Sequence, residues 1–114
     1  MAIQSTQVGG GDTTILEVPA GKSWAVTAML FCNVAVNPQQ EIYTDGGDSF
    51  LDLHFCNGGA AAGVDNMVLN NIPIPAGETF TFNEEKIILE AGDILRASSK
   101  SPTNITATVS YLEV

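Results

Sequence analysis

Hydrophobic and polar residues alternate with a period of two along most of this chain, and turn clusters interrupt the alternation. In "NITATVSYLEV" (104–114), Ile105, Ala107, Val109 and Tyr111 fall on one side and Thr106, Thr108 and Ser110 on the other. That is the pattern of a strand with one packed face and one solvated face. Shorter runs of this kind are "TTILEV" (13–18), "EIYT" (41–44), "SFLDLHFC" (49–56), "DNMVLNNIPI" (65–74), "TFTF" (79–82), "KIILE" (86–90) and "DILRAS" (93–98). A longer run covers 24–36, and "AIQSTQV" (2–8) reads as an edge strand or arm. No window long enough for a helix keeps an i, i+3, i+4, i+7 apolar stripe. The pattern predicts an all-β fold, a single β-sandwich, jelly-roll or immunoglobulin-like, of about eight or nine antiparallel strands. The expected organisation is an N-terminal arm and glycine hinge over 1–12 and a sandwich over 13–114.

The punctuation between runs has local causes. "GGGD" (9–12), "NPQQ" (37–40), "DGGD" (45–48), "NGGAAAG" (57–63) and "KSPTN" (100–104) supply glycines for positive φ, prolines that fix φ, and Asn or Asp side chains that bond to nearby backbone. The glycines and alanines of 57–63 have little to pack, which marks that loop as the most mobile. Ala-Gly occurs three times between hydrophobic runs, in "EVPAGKSW" (17–24), "NIPIPAGETF" (71–80) and "ILEAGDIL" (88–95). In each, Gly21, Gly77 or Gly92 is placed to take a left-handed conformation, a polar residue follows, and Trp24, Phe80 or Leu95 re-enters the core. The intervals between these glycines, 56 and 15 residues, exclude a periodic repeat.

Strand parity assigns faces. Over 24–36 the even positions Val26, Ala28, Leu30, Cys32, Val34 and Val36 form the apolar face, so Cys32 is expected to point inward. In "SFLDLHF" the apolar positions Leu51, Leu53 and Phe55 are odd, which puts His54 and Cys56 on the opposite side. Two free thiols, one of them buried, are expected.

Composition narrows the function classes. A chain of 114 residues and 12.0 kDa holds one ordinary core. Apolar residues make up 45% and charged residues only 15%, leaving Thr, Ser, Asn and Gly to form much of the polar surface, which suits dense packing against protein neighbours. Four Lys and Arg against thirteen Asp and Glu give a formal charge of −9, a field that repels phosphate backbones and anionic membranes, so no nucleic-acid partner is expected. The longest apolar runs, such as "AMLF" (28–31), fall far short of the roughly 20 residues that span a bilayer, and no membrane segment is expected. The N-terminus lacks the basic start and apolar block of a secretory signal, which points to synthesis in a cytoplasm and, for any exit, a different route.

Candidate chemistry is sparse. "AGKS" (20–23) matches the end of a phosphate-binding loop, but the required Gly five residues before Gly21 is Leu16, and "WAVTAMLF" reads as strand where a helix is needed. Asp45, Asp48 and Asp52, with Glu41, gather acidic oxygens without the spacing of a calcium loop and read as a solvated hairpin tip. His54 is the only histidine; with Cys56 two residues on, it lacks a third partner and reads as a strand-face residue. Glu84 and Glu85 before Lys86 read as a solvated turn, and the "NIT" acceptor pattern at 104–106 is discounted without a secretory signal. No catalytic, cofactor-binding or metal-ligating residue is assigned, no cofactor is expected, and the chain is expected not to be an enzyme.

Taken in order, "VPAGKSWAVTAMLFCN", "VLNNIPIPAGETFTFNEEKIILEAGDILRASS" and "ITATVSYLEV" resemble small β-sandwich structural proteins of tailed bacteriophages. The resemblance covers roughly 13–36 and 66–114 and leaves 37–65 unmatched. It implies a virion component, foremost a capsid cement or decoration protein. Proteins of that kind sit outside the shell as dimers or trimers over junctions between major capsid subunits and resist internal DNA pressure. The implied partners are the major capsid protein and further copies of the chain, and the implied location is the capsid surface. Two alternatives stand beside it. One is a tail, neck or baseplate sandwich that binds a receptor through the 37–65 loops, which an aromatic-lined groove would favour. The other is a carbohydrate-active or thiol-dependent enzyme using His54 and Cys56, which needs a deep pocket holding both and a third polar partner.

Overall fold

The computed structural model describes residues 2–34, 49–82, 87–100 and 105–114. Among these, nine strands form: β1 (Ala2–Val8), β2 (Thr13–Glu17), β3 (Ser23–Asn33), β4 (Ser49–Cys56), β5 (Met67–Ile74), β6 (Thr79–Phe82), β7 (Ile87–Glu90), β8 (Ile94–Ser99) and β9 (Ile105–Glu113). Two short 3-10 turns, Asn57–Gly59 and Val64–Asn66, lie between β4 and β5. The expected strands "EIYT", the 35–36 end of the long run, and the "NPQQ" and "DGGD" clusters lie outside the described residues.

The pairings are nested. β4 pairs with β5, β3 with β6 and β7, β2 with β8, and β1 with β9, all antiparallel. The described chain is thus one long hairpin folded across itself, and the extra pairings β3 with β9 and β4 with β8 close it into two sheets. One sheet runs β1-β9-β3-β6, with β7 continuing the β6 edge of β3; the other runs β2-β8-β4-β5. With β6 and β7 counted as one interrupted strand, this is the eight-position jelly roll and not the immunoglobulin-like alternative. Residues 2–8 belong to this sandwich and are no separate arm: β1 matches β9 over seven consecutive positions, and Val8 is fully buried.

The three corners share one geometry. The N–H of Lys22, Glu78 and Asp93 donates to the carbonyl of Pro19, Pro75 and Glu90 at 3.3, 3.0 and 2.9 Å. Gly21, Gly77 and Gly92, third in each turn, have φ of 77°, 80° and 89°. These are type II turns, in which the third residue must adopt positive φ. The corners are also tied into the sandwich. Val18 exchanges bonds with the third corner, its N–H to Asp93 O (3.1 Å) and its O from Gly92 N–H (3.0 Å). The end of β3 does likewise with the second, Asn33 N–H to Glu78 O (2.9 Å) and Gly77 N–H to Asn33 O (3.0 Å). The buried Asn33 side chain adds Nδ2 to Ile74 O at 2.8 Å.

Between the sheets lie Ile15, Leu16, Phe31, Met29, Leu51, Leu53, Leu95, Ile105 and Val109, each at most 1% exposed. Burying side chains of this size contributes about 1.5–3 kcal/mol apiece. One expectation about this core is overturned. Even-numbered parity holds for Trp24 and Val26, but Met29, Phe31 and Asn33 are the inward residues further on, while Leu30 and Val34 are exposed. The cause is a β-bulge. Val26 pairs with Tyr111 and Ala28 with Ser110, so Thr27 is an extra residue, and its Oγ1 bonds Ser110 O (3.1 Å) and Oγ (2.6 Å). One inserted residue exchanges the two faces of everything after it. Cys32 therefore lies on the outer face, half-buried, and Cys56 is the buried thiol; both are free.

Candidate functional site

The outer faces of the two sheets differ in chemistry. On the β2-β8-β4-β5 sheet, His54 pairs with Arg96 and Asp52 with Ser98, which places charged and titratable groups side by side. Asp52 is committed to local structure. Its Oδ1 accepts from the N–H of Asn71, the one described non-glycine with positive φ (57°), at 2.6 Å, and its Oδ2 is 3.8 Å from Lys100 Nζ. Asp52 thus caps a bulge in β5. Its sequence companions Asp45, Asp48 and Glu41 lie outside the described residues, as do Glu84, Glu85, Lys86 and Asn104. Among the described residues no three His, Cys, Asp or Glu side chains gather as metal ligands.

His54 and Cys56 are on the even face of β4, as parity predicts, yet they are 6% and 1% exposed because residues 57–66 fold over them. Asn66 organises that cover. Its Oδ1 accepts from Gly63 N–H (3.0 Å) and meets His54 Nδ1 at 2.9 Å, while its Nδ2 donates to Ala61 O (3.0 Å) and approaches Cys56 Sγ at 3.6 Å. With Oδ1 the acceptor, His54 carries its proton on Nδ1. The 57–63 loop, expected to be the loosest segment, is pinned here and again where Gly58 N–H donates to Asp93 Oδ1 at 2.8 Å. A third polar partner for His54 and Cys56 does exist, then, but it stands between them and holds a loop. A groove of about 190 Å³ beside Cys56 is lined by Phe55, Ile87, Leu89 and Asp93 among others, and His54 is not part of its wall. Among the described residues, His54 Nδ1 and Cys56 Sγ are each engaged by the Asn66 side chain.

Among the described residues, the outer face of the β1-β9-β3-β6 sheet is nearly free of charge. Reading across neighbouring strands, one row is Ser5, Thr108, Leu30 and Thr81, and the next is Gln7, Thr106, Cys32 and Thr79. Beyond them stand Ile3 paired to Ser110, then Leu112, Ala25 and Ile88. Ile3, Leu30, Ile88 and Leu112 are 69, 38, 55 and 39% exposed. Among the described residues, the only charged side chain facing outward on these strands is Glu90, at the end of β7. In a chain of net charge −9, a whole sheet face of hydroxyls, small residues and exposed aliphatics stands apart from the rest of the surface. Depletion of charge in a broad flat patch is the compositional mark of an interface centre. Its signal was present in the sequence: 2–8, 23–34, 79–82 and 105–112 contain no Asp, Glu, Lys or Arg.

At the end of the sandwich a groove of about 380 Å³ is lined by Ala2, Lys22, Trp24, Tyr111 and Glu113. Trp24 and Tyr111 stack at 4.3 Å between centroids and 26° between planes, and Lys22 Nζ bridges Glu113 Oε2 at 3.1 Å. No described helix is long and apolar enough to cross a membrane. No family model matches the chain, and no curated protein or solved structure matches it either.

Proposed function

We propose that this chain is a non-enzymatic structural protein of a tailed-bacteriophage virion, a capsid cement protein that docks on the major capsid protein from outside. The observation that carries the reading is the outer face of the β1-β9-β3-β6 sheet, on which Glu90 is the one charged side chain among the described residues of an acidic domain. Such a face is compatible with burial against a protein, because hydroxyls and aliphatics lose little on desolvation compared with charges. The ordered resemblance of the corners and of the final "VSYLEV" strand to phage sandwich proteins supplies the partner. The fold alone does not, since jelly rolls serve many functions.

The test is direct. Particles of the phage that encodes the chain are imaged with and without it, and docking to empty shells is measured for wild type and for Leu30→Asp and Thr108→Asp, whose side chains neighbour each other on the face. Docking should be lost in both variants while thermal melting stays near wild type. Particles that lack the protein, or carry it only at the tail, overturn the reading. The Trp24–Tyr111 groove favours the tail alternative, since a stacked aromatic pair beside an ion pair offers a sugar both a ring face and polar partners. Glycan binding abolished by Trp24→Ala would establish it.

A further inference from the structure

From the four strand edges of the sandwich we infer that β1 is a self-pairing edge, through which two copies join into one continuous sheet. Unpaired strand edges are templates for other strands, and proteins blunt them with bulges, prolines, charges or short length. Three of the four edges carry such devices. β5 contains Pro73, positive φ at Asn71 and two register breaks against β4. β2 has five residues, a register break between Thr14 and Leu16, and Glu17. The third edge is made of two separate four-residue strands, β6 and β7, with Glu84, Glu85 and Lys86 between them in sequence.

β1 has none of these. "AIQSTQV" has no charge, proline or glycine, its register with β9 is unbroken over seven positions, and five of its seven residues are exposed. Alternate residues of an antiparallel edge strand turn their N–H and C=O groups away from the one neighbour they have. The occupant that fits is a second copy of β1. The chain carries −9, so copies repel one another overall, and β1 against β1 opposes no charged side chain. An antiparallel pair centred on Ser5 sets Ser5 against Ser5, Ile3 against Gln7 and Gln4 against Thr6 of the other copy. Its two-fold axis stands perpendicular to the sheet, so both of these outer faces point the same way. The interface is isologous and closed.

The wild-type protein should sediment at twice 12.0 kDa, and Ser5→Lys and Ser5→Glu should each raise the dissociation constant about fivefold or more by opposing like charges. Ser5 is exposed and holds only an exposed Ser5 to Thr108 hydroxyl contact, so both variants should keep the wild-type melting curve. Mixing the two variants should restore the dimer. Independently of any variant, half of the β1 amides should exchange more slowly as wild-type concentration rises. A monomer at every concentration, a mass other than two copies, a dimer indifferent to both substitutions, or a mixture that stays monomeric overturns the inference. Leu30→Asp, which tests shell docking, should leave the dimer intact, so the two proposals fail separately.

Discussion

Gly21→Ala isolates the backbone requirement of the corners from everything else. A Cβ built at Gly21 meets no atom within 4 Å, so the substitution adds no clash, yet φ there is 77°. Holding an alanine in the left-handed region costs about 1–2 kcal/mol. The stiffer unfolded chain returns about 0.4–1 kcal/mol. The net loss should be near 1 kcal/mol, a drop of roughly 4 °C in melting temperature for a domain of this size. Gly11→Ala is the matched control, since its Cβ also meets nothing within 4 Å and its φ lies outside the left-handed region. Without the backbone cost, Gly11→Ala should be neutral or slightly stabilising. Gly92→Ala, with φ of 89° and its nearest atom 3.9 Å away, should behave like Gly21→Ala. Thermal and urea melts followed by circular dichroism measure all three, with unchanged urea slopes showing that the folded and unfolded states are comparable. If Gly21→Ala melts with Gly11→Ala, the type II turn is not what the corner requires, and the account of the three corners fails.

Three further outcomes follow from named contacts. Asn33→Ala removes a buried side-chain donor to Ile74 O, so urea unfolding should report a loss of about 1–3 kcal/mol. In wild type, Ellman's reagent should modify half-buried Cys32 well before buried Cys56, and Asn66→Ala should raise the Cys56 rate and speed amide exchange over 57–63 while leaving Cys32 unchanged. Deleting Thr27 removes the bulge and turns Met29 and Phe31 outward, forfeiting about 1.5–3 kcal/mol for each side chain, whereas Thr27→Ala keeps the bulge and should cost about 1 kcal/mol; thermal melts distinguish them.

Much of the architecture is legible by counting in twos. "SFLDLHFC", "TFTF" and "AIQSTQV" coincide with β4, β6 and β1, because regular alternation and turn residues act within a few positions of one another. The glycine conformations at the corners are likewise local. The fate of Cys32 is not, since "WAVTAMLFCN" alternates acceptably in either parity. Only the pairing with Ser110, distant in sequence, reveals Thr27 as the extra residue. Parity puts His54 and Cys56 on the correct face but says nothing of their burial, which depends on Asn66 folding ten residues of chain back over them. The choice of jelly roll over immunoglobulin-like sandwich rests on nested long-range pairings that no local pattern encodes.

The bulge also bears on what the outer sheet can do. Had β3 kept one parity throughout, Met29 and Phe31 would stand beside Thr106, Thr108 and Ser110, and the face would be a greasy patch prone to unspecific association. With Thr27 inserted, the two largest residues of that stretch turn into the core, and Leu30 and Cys32 are left among hydroxyls. The resulting stretch of surface is uncharged but not strongly apolar along β3 and β9. A surface of that kind gains little by sticking to itself at random, and it loses little water-bound charge when a shape-matched neighbour covers it. If the two proposals hold, the exposed face and the β1 edge would divide the work. Edge pairing would set two copies of the face in one plane, and a two-site contact with a repeating shell would bind more tightly than either face alone because the second contact would form at high effective concentration.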